Sequence, residues 1–360
     1  MKGTIKEDHP LRDQLLQVMI DNEGSDMYIT VGTFPAIKIK GDIVKIDEGI
    51  DKLSWKDTME FTQSIVTEKQ HDNLVKTKNL DYAFSYNERR FRVNVSFQMS
   101  NYMIVIRLLG NKIPTLDDLN LPSIYKEITK IGQGLILVTG PTGSGKSTTL
   151  AAMINHINQN SNKHIITIED PVEYLHPHAR SIVEQKEIGK DVPDYKTALA
   201  GAMRQNPQII LFGEMRTTEE IEMALTLAET GHLVFSTLHT RSAYQTISRI
   251  IDSFEAGQQN QVRLQLADSL VAVFSQRLLK ASDGSGVKMV KEILTHNSAI
   301  ANLIRENDLH QIPSVMQMGS REGMQILEKD IIDLVNMGFI SEEEGLKYAN
   351  NPKIVKEGIN

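Results

Sequence analysis

The residues most suited to chemistry form a short glycine-rich segment. Positions 140–147 match the pattern G-x-x-x-x-G-K-[ST] in full. In such a loop the glycines let main-chain N–H groups converge on phosphates, the lysine reaches the β and γ oxygens, and the final hydroxyl binds magnesium. The pattern therefore predicts a site for ATP and Mg²⁺, formed by Gly140, Pro141, Thr142, Gly143, Ser144, Gly145, Lys146, Ser147 and Thr148.

The sequence on both sides of this loop favours the same interpretation. An apolar run from Leu135 to Val138 precedes the loop, and residues 148–154 are typical of a helix. Strand, loop and helix in this order place the phosphates at a helix N-terminus. A chance glycine-rich turn would not require either neighbour, so we favour nucleotide binding.

Acidic residues follow two further apolar runs that we predict to be strands. The run 165–168 leads into 169–173, and the run 209–212 leads into Glu214. Because ligands bind at the carboxyl ends of parallel strands, we expect these carboxylates to face the γ-phosphate. Glu173 is predicted to orient the attacking water, and Glu214 to hold magnesium through a water molecule. A solvated acidic turn is the competing interpretation for each carboxylate in 169–173.

A helix start and two histidines accompany the next predicted strand. Residues 217–220 form a Thr-x-x-Glu capping box, which predicts a helix that ends before Gly231. His232 and His239 flank the strand Leu233 to Thr237, and we interpret them as γ-phosphate sensors. A zinc site is disfavoured because neither a cysteine nor a His-Glu-x-x-His motif accompanies them.

Composition limits the other classes of function. The 360 residues include 39 Lys plus Arg and 46 Asp plus Glu, and the net charge of -7 offers no bulk attraction for nucleic acid, so we expect no nucleic-acid partner. The absence of cysteine excludes disulfides, thiolate-bound zinc and a cysteine nucleophile. Because Met1–Asp8 is polar and no later run has 18 unbroken apolar residues, we expect a cytoplasmic protein.

The chain length and its changing patterns predict two domains. Alternating segments at Asp26–Val31 and Arg90–Phe97, with one or two helices within Ser54–Val75, predict a small α+β domain over residues 1–110. In Arg90–Phe97 the apolar residues share one face, which leaves Arg92 on the exposed face. Glycine and prolines among polar residues mark a linker at 111–122.

The remaining residues, 123–360, predict an α/β domain with a mostly parallel sheet. Short apolar runs separated by longer helical stretches are typical of a sheet that is covered on both faces. From about residue 258 we expect the chain to turn helical, because apolar residues recur there at intervals of three to five and can line one face: Val262, Leu266, Leu270, Val273 and Leu278. Further helices are predicted at Ala299–Glu306 and Gly323–Met337.

Four segments in order resemble the secretion ATPase superfamily of type II secretion and type IV pili. They are 140–149, 168–173, 213–216 and 229–240, which are similar to its Walker A, Asp, Walker B and His boxes. The resemblance covers about Glu23 to Asn350, and it is strongest to the pilus retraction ATPases. It implies a PAS-like N-terminal domain, a RecA-like P-loop ATPase domain and a homo-hexameric ring.

The resemblance also implies residue roles, a location and partners. Glu173 would be the catalytic glutamate, Glu214 the Walker B glutamate, and His232 with His239 the His-box pair. The arginines that the N-terminal domain supplies to the phosphates would be Arg92 and Arg107. The motor would be cytoplasmic and docked at the inner membrane on the platform protein of the type IV pilus machine, with a paralogous retraction ATPase as a further partner.

Three positions depart from the family pattern. Gln208 and Thr217 replace aspartates near the Walker B strand, and Thr217 remains a good helix-capping residue. Ala301 replaces an arginine in the C-terminal signature Ala-Ile-Arg-x-Leu-Ile-Arg-Glu. The first two changes leave the predicted catalytic residues intact, so we expect hydrolysis. The third leaves open which of the two retraction subtypes this chain represents and whether it retracts pili unaided.

Three alternatives remain. A pilus assembly or type II secretion ATPase typically has an extra N-terminal domain and a tetracysteine zinc site, and this sequence of 360 residues without cysteine offers neither. A RecA-like nucleic-acid motor would need a basic channel and stacking aromatics, whereas the aromatic content is 6%. A nucleotide-binding subunit without turnover is the third, and measured hydrolysis would exclude it.

Overall fold

The computed structural model describes residues 9–39, 41–110 and 112–359. The polar N-terminal segment Met1–Asp8, and Asn111 in the predicted linker, lie outside the described residues. The chain divides into two compact units. The first contains the described residues up to Lys112 together with Asp170–Leu175, and the second contains the rest. The predicted α/β domain, 123–360, includes Asp170–Leu175, so the structure differs from the prediction at this segment.

The first unit is an α+β structure with one antiparallel sheet. Its strand order is β3-β2-β1-β6-β5-β4, and three helices accompany the sheet. The elements are α1 (Pro10–Asp21), β1 (Asp26–Thr30), β2 (Ala36–Ile39), β3 (Asp42–Lys45), α2 (Trp55–Ile65), α3 (Glu68–Thr77), β4 (Asn79–Tyr86), β5 (Arg89–Gln98) and β6 (Asn101–Leu108). Both α2 and α3 begin with capping boxes, which explains why the region predicted as one or two helices forms two.

The alternation predicted along β5 is confirmed on its apolar face. Phe91, Val93 and Val95 are fully buried in the core of this unit. On the other face Arg90 is only 8% exposed, so the expectation that this face is open is wrong at that position. The cause is Asp170–Leu175, which is distant in sequence: Arg90 Nε donates to the main-chain oxygen of Val172 at 3.2 Å.

The second unit contains a seven-stranded sheet with helices on both faces. The strand order is β13-β12-β7-β11-β10-β8-β9, and all neighbours are parallel except β12 and β13. The strands are β7 (Gly134–Thr139), β8 (His164–Glu169), β9 (Ile182–Glu187), β10 (Ile209–Phe212), β11 (Leu233–Leu238), β12 (Leu270–Lys280) and β13 (Val287–Thr295). The predicted mostly parallel sheet is confirmed.

Eleven helices surround this sheet among the described residues. They are α4 (Ile124–Ile128), α5 (Lys146–Asn160), α6 (Tyr195–Ala202), α7 (Thr218–Glu229), α8 (Ala243–Asp252), α9 (Gln259–Ser269), α10 (Ser298–Arg305), α11 (Ile312–Met318), α12 (Leu327–Asn336), α13 (Glu342–Tyr348) and α14 (Pro352–Gly358). Alternate residues of β7 enter two separate cores, Leu135 and Leu137 in one and Ile136 and Val138 in the other. The uninterrupted apolar run of β7 follows from this two-sided burial.

The prediction that the chain turns helical from about residue 258 is wrong for β12 and β13. Helix α9 ends at Ser269, and the apolar residues that follow belong to β12. β12 pairs with β7 on one side and with β13 on the other, so both its edges are covered, and most side chains on both of its faces are buried. A fully buried strand is nearly continuous in apolar residues, and spacings of three to five therefore do not separate it from a helix.

Candidate functional site

The glycine-rich segment forms a tight loop between β7 and α5. Gly140, immediately after β7, has a φ of 146°, and Gly145, immediately before α5, has a φ of 85°. Both values lie in the region that favours glycine. A Cβ atom on Gly140 would also lie 2.2 Å from the main-chain oxygen of Gln276. Any larger residue at position 140 would therefore displace β12 from the loop.

The loop has the chemistry that a phosphate site requires. α5 begins at Lys146 and runs for 15 residues, so the positive end of its dipole lies at the loop. Lys146 Nζ donates to the main-chain oxygens of Gly140 at 2.9 Å and Pro141 at 3.1 Å. The Oγ of Ser144 is buried and has no hydrogen-bond partner within the described part of the chain. These groups fit an anionic, phosphate-bearing ligand.

Glu214 and His239 come together at the same edge of the sheet as this loop. The registers of β7, β11 and β10 place their carboxyl ends side by side. Thr237 of β11 fixes the turn after β10, because its Oγ1 donates to Gly213 O at 2.7 Å and its main-chain oxygen accepts from Met215 N at 3.1 Å. Glu214 Oε1 consequently lies 3.2 Å from His239 Nε2.

The second oxygen of Glu214 is engaged by an arginine. Arg216 donates to Oε2 from Nε at 3.0 Å and lies 2.9 Å away through its terminal nitrogen. Directly after it, Thr217 and Glu220 form the predicted capping box, which is confirmed at the start of α7. A short turn held at both ends thus presents a half-buried carboxylate between an imidazole and a guanidinium.

His232 lies at the other end of β11, where the parallel strands begin. Its main-chain oxygen accepts from Gly134 N at 3.0 Å, at the amino end of β7, and its Nδ1 is 3.1 Å from Leu227 O. The six residues of β11 separate it from His239, and a strand of that length spans about 20 Å. The two histidines therefore do not meet in this unit, and a phosphate-sensing role for His232 stays a prediction.

The two predicted arginines are cross-strand neighbours in the first unit. Arg92 of β5 is directly opposite Arg107 of β6. Arg92 binds Asp81 through Nε at 3.2 Å and a terminal nitrogen at 2.6 Å, and hydrogen bonding to Asp81 raises the pKa of Arg92. Arg107 Nε donates to Asp26 Oδ1 at 2.8 Å. The sheet register thus presents two guanidinium groups side by side, each with its own aspartate.

Glu173 lies in the same unit as these arginines. One of its oxygens is 4.0 Å from a terminal nitrogen of Arg92, at the limit of an ion pair. The segment that carries it is held by the bond from Arg90 to Val172 O. The structure therefore brings Glu173 and Arg92 together within the first unit, and Glu214 and His239 together within the second.

The sequence analysis did not identify the residues that contact and orient the predicted site residues. Asp81 and Asp26 could have been found by extending the β5 alternation to β4 and β1, since they lie on the arginine-bearing face. Gln276 had no motif signal, because it is the middle one of three polar residues, 275–277, that match no pattern of a binding site. Within the described ranges no three His, Asp or Glu residues cluster as metal ligands.

The comparisons with known proteins agree on one family. The model of the type II/IV secretion system protein family matches residues 74–347. The chain is 43% identical over 320 residues to a twitching motility protein of Neisseria gonorrhoeae, which covers 88% of this chain and 84% of that protein. It is 40% identical over 341 residues to the type IV pilus retraction ATPase PilT of Pseudomonas aeruginosa, with 94% and 98% covered.

A solved structure supports the same relationship at the level of the fold. A crystal structure of the pilus retraction motor PilT with bound ADP matches with a TM-score of 0.90 and 41% identity, over 96% of this chain and 98% of that one. Among the described residues, no helix is both long enough and apolar enough to span a membrane.

Proposed function

The chain belongs to the type II/IV secretion system protein family, and from this premise we propose that it is the ATP-driven motor of type IV pilus retraction. It is a P-loop ATPase, and hydrolysis of ATP supplies the energy for movement. The observation that carries the proposal is that the Gly140–Lys146 loop, Glu214 and His239 share one sheet edge. That edge is where an open α/β sheet binds its ligand.

Each group at this edge has a proposed role in binding. The main-chain N–H groups of the loop bind the phosphates, and Lys146 exchanges its contacts with Gly140 O and Pro141 O for the β and γ oxygens. Ser147 binds magnesium directly and Glu214 binds it through water. Magnesium, when bound, neutralises charge on the β- and γ-phosphates. His239 keeps Glu214 oriented and responds to the γ-phosphate.

Hydrolysis requires further groups, which we assign to the first unit. Glu173 orients the attacking water and accepts its proton, while Arg92 and Arg107 stabilise the negative charge of the transferring phosphate. Their aspartate partners keep both guanidinium groups in fixed rotamers.

We further propose the assembly in which this motor works. Six copies form a ring in the cytoplasm, and the ring docks on the inner-membrane platform protein of the pilus machine. A paralogous retraction ATPase is a further partner, since Ala301 departs from the C-terminal signature of retraction enzymes. Nucleic acid is not expected to stimulate the motor.

Purified protein tests the enzymatic part of the proposal. We expect magnesium-dependent ATP hydrolysis that Lys146→Ala and Glu173→Ala abolish, whereas Lys163→Ala, at an exposed lysine at the amino end of β8, hydrolyses ATP normally. Normal hydrolysis by the double variant Glu173→Ala, Glu214→Ala would overturn the assignment of both carboxylates. Stimulation by single-stranded DNA would favour a nucleic-acid motor instead.

Gene deletion tests the biological part. If the protein is a retraction motor, cells that lack the gene should carry more surface pili than wild type and show no twitching motility. The wild-type gene should restore the normal pilus number and motility, and the Lys146→Ala gene should not. Cells without pili would show an assembly ATPase. If deletion cells keep a normal pilus count and normal twitching, retraction by this motor is excluded.

A further inference from the structure

A polar side chain outside every motif lies directly behind the phosphate loop. β12 pairs in parallel with β7 up to Ser275 opposite Thr139, and Gln276 is the next residue of β12. At that height β7 has ended and Gly140 has begun the loop. Gln276 is 1% exposed, so its amide must find its partners inside the protein.

One end of this amide binds the loop, and the other end binds the helix that follows the loop. Gln276 Nε2 donates to the main-chain oxygen of Ser144 at 2.7 Å, and Gln276 Oε1 accepts from Thr149 Oγ1 at 3.0 Å. Thr149 is completely buried in the first turn of α5. One side chain therefore fixes the last peptide of the loop against the start of the helix.

The loop glycines are shaped around the same residue. An ideal Cβ on Gly145 would lie 3.3 Å from Gln276 Nε2, tighter than nine in ten real Cβ contacts. On Gly140 it would lie 2.2 Å from the main-chain oxygen of Gln276. Because both of these glycines lack a side chain, Gln276 can pack directly against the phosphate loop. The two glycines of the motif are therefore matched to this position of β12.

The bond to Ser144 O has a consequence for phosphate binding. In a trans peptide the C=O and N–H bonds point in opposite directions. Holding Ser144 O towards Gln276 therefore turns the N–H of Gly145 away from β12. We propose that Gln276 is a positioning residue that aims the Gly145 N–H at the β-phosphate of the bound nucleotide. The inference rests on the proposed nucleotide site and adds a residue that its motif does not contain.

A pair of variants separates the bond to Ser144 from general packing. Thr149→Val removes the hydroxyl bound to Oε1 and serves as the background. Adding Gln276→Met to it removes the donor to Ser144 O with a side chain of similar length, and the valine at position 149 leaves no hydroxyl there without an acceptor. Ser275→Ala is the matched control, because it deletes the buried 2.7 Å bond between Ser275 Oγ and Thr139 Oγ1 on the same pair of strands without touching the loop.

The readout is the ratio of the dissociation constants for AMP and ADP, measured with magnesium on the full chain. Losing one amide aimed at the β-phosphate is expected to weaken ADP binding about 10-fold relative to the Thr149→Val background. AMP lacks that phosphate and should bind unchanged. A general loosening of the fold would weaken both nucleotides together, and Ser275→Ala should keep the wild-type ratio.

The possible results are distinct. If wild-type protein binds no ADP, the proposed nucleotide site fails. If wild type binds ADP and the double variant keeps the background ratio, the positioning role of Gln276 is overturned. If the double variant does not fold, the single variant Gln276→Glu replaces it, since it keeps the acceptor for Thr149 and loses the donor to Ser144. The same change in ratio is then expected, and an unchanged ratio refutes the inference.

Discussion

Glu173 and Glu214, the two carboxylates to which the sequence assigns chemistry, are positioned in different ways. Glu214 follows β10 in the second unit, and its turn is fixed by Thr237 of the adjacent strand. Glu173 lies in a segment that joins the first unit although both neighbouring parts of the chain belong to the second. It meets Arg92 there at 4.0 Å.

The different surroundings of the two carboxylates support different proposed roles for them. The two oxygens of Glu214 have a histidine and an arginine within 3.2 Å. A magnesium ion beside Glu214 would therefore contact it through a water molecule. Glu173 has one guanidinium at the limit of ion pairing, which leaves its oxygens suited to orienting a water molecule. We therefore expect substitutions of Glu173 to act on the chemical step and those of Glu214 to act on magnesium.

The largest expected effect is that of Glu173→Gln. Loss of the group that accepts the proton of water should lower kcat by roughly 10²- to 10⁴-fold, with ATP affinity retained. Steady-state hydrolysis and equilibrium binding of ATP measure the two quantities separately. Glu219→Gln, in the first turn of α7, is the control. A fall in affinity with kcat unchanged would reverse the roles of the two carboxylates.

Glu292 provides a carboxylate that neither proposed site includes. Burial, with a smaller contribution from Glu328, raises the pKa of Glu292 from its ordinary value of 4.5 to about 7, although the hydrogen bond from Ala243 N and the charge of Arg277 act in the opposite direction. Between these two values the folded state binds more protons than the unfolded state, so the free energy of unfolding falls as pH rises from 4.5 to about 7.

Glu292→Gln is expected to abolish this decrease in the free energy of unfolding with rising pH. The glutamine retains an oxygen acceptor for Ala243 N, which donates to Glu292 Oε1 at 2.5 Å. The variant should therefore gain up to roughly 3 kcal/mol over wild type at about pH 8, and little at about pH 4. Urea unfolding at the two pH values measures the difference. An equal gain at both would show that the effect is one of packing and not of charge.

Glu214→Gln should have a smaller effect on activity than Glu173→Gln. Partners of a metal site acting through water typically contribute about 10- to 100-fold, and the magnesium concentration for half-maximal hydrolysis should rise with this loss. A titration of hydrolysis with magnesium distinguishes the two carboxylates, because Glu173→Gln should leave the midpoint unchanged. An unaltered midpoint in Glu214→Gln would contradict its proposed contact with the metal.

The smallest effect is expected from the aspartates that hold the arginines. Asp81→Asn weakens the bidentate pair with Arg92, and exposed pairs of this kind are worth about 0.2 to 1 kcal/mol. We expect kcat to fall by at most about fivefold, with little change in melting temperature. Asp26→Asn is the matched variant for Arg107. If only one of the two lowers kcat, only that arginine acts on the phosphate.

Much of the second unit could be predicted from sequence because its signals are local. The phosphate loop is formed by eight consecutive residues, and strand, loop and helix follow one another without a break. The capping box at Thr217 and Glu220 works over three residues and is confirmed. Glu214 could be placed at a sheet edge because it ends an apolar run, and parallel strands bring such ends together.

Other features depend on contacts between distant residues, which periodicity does not contain. The apolar spacing of β12 suits a helix as well as a buried strand, and only its pairing with β7 and β13 distinguishes the two. His232 and His239 look equivalent as flanks of one strand, yet the direction of β11 places one beside the phosphate loop and the other about 20 Å away.

The sequence by itself determined the phosphate loop, the position of Glu214 after a buried strand and the mostly parallel sheet, since each depends on neighbouring residues and on regular burial. The tertiary structure alone decided that 170–175 joins the first unit, which arginine each of the two aspartates restrains, and that Gln276 holds Ser144. Those contacts join residues between 11 and 132 positions apart, and their formation depends on the register of strands in a folded sheet.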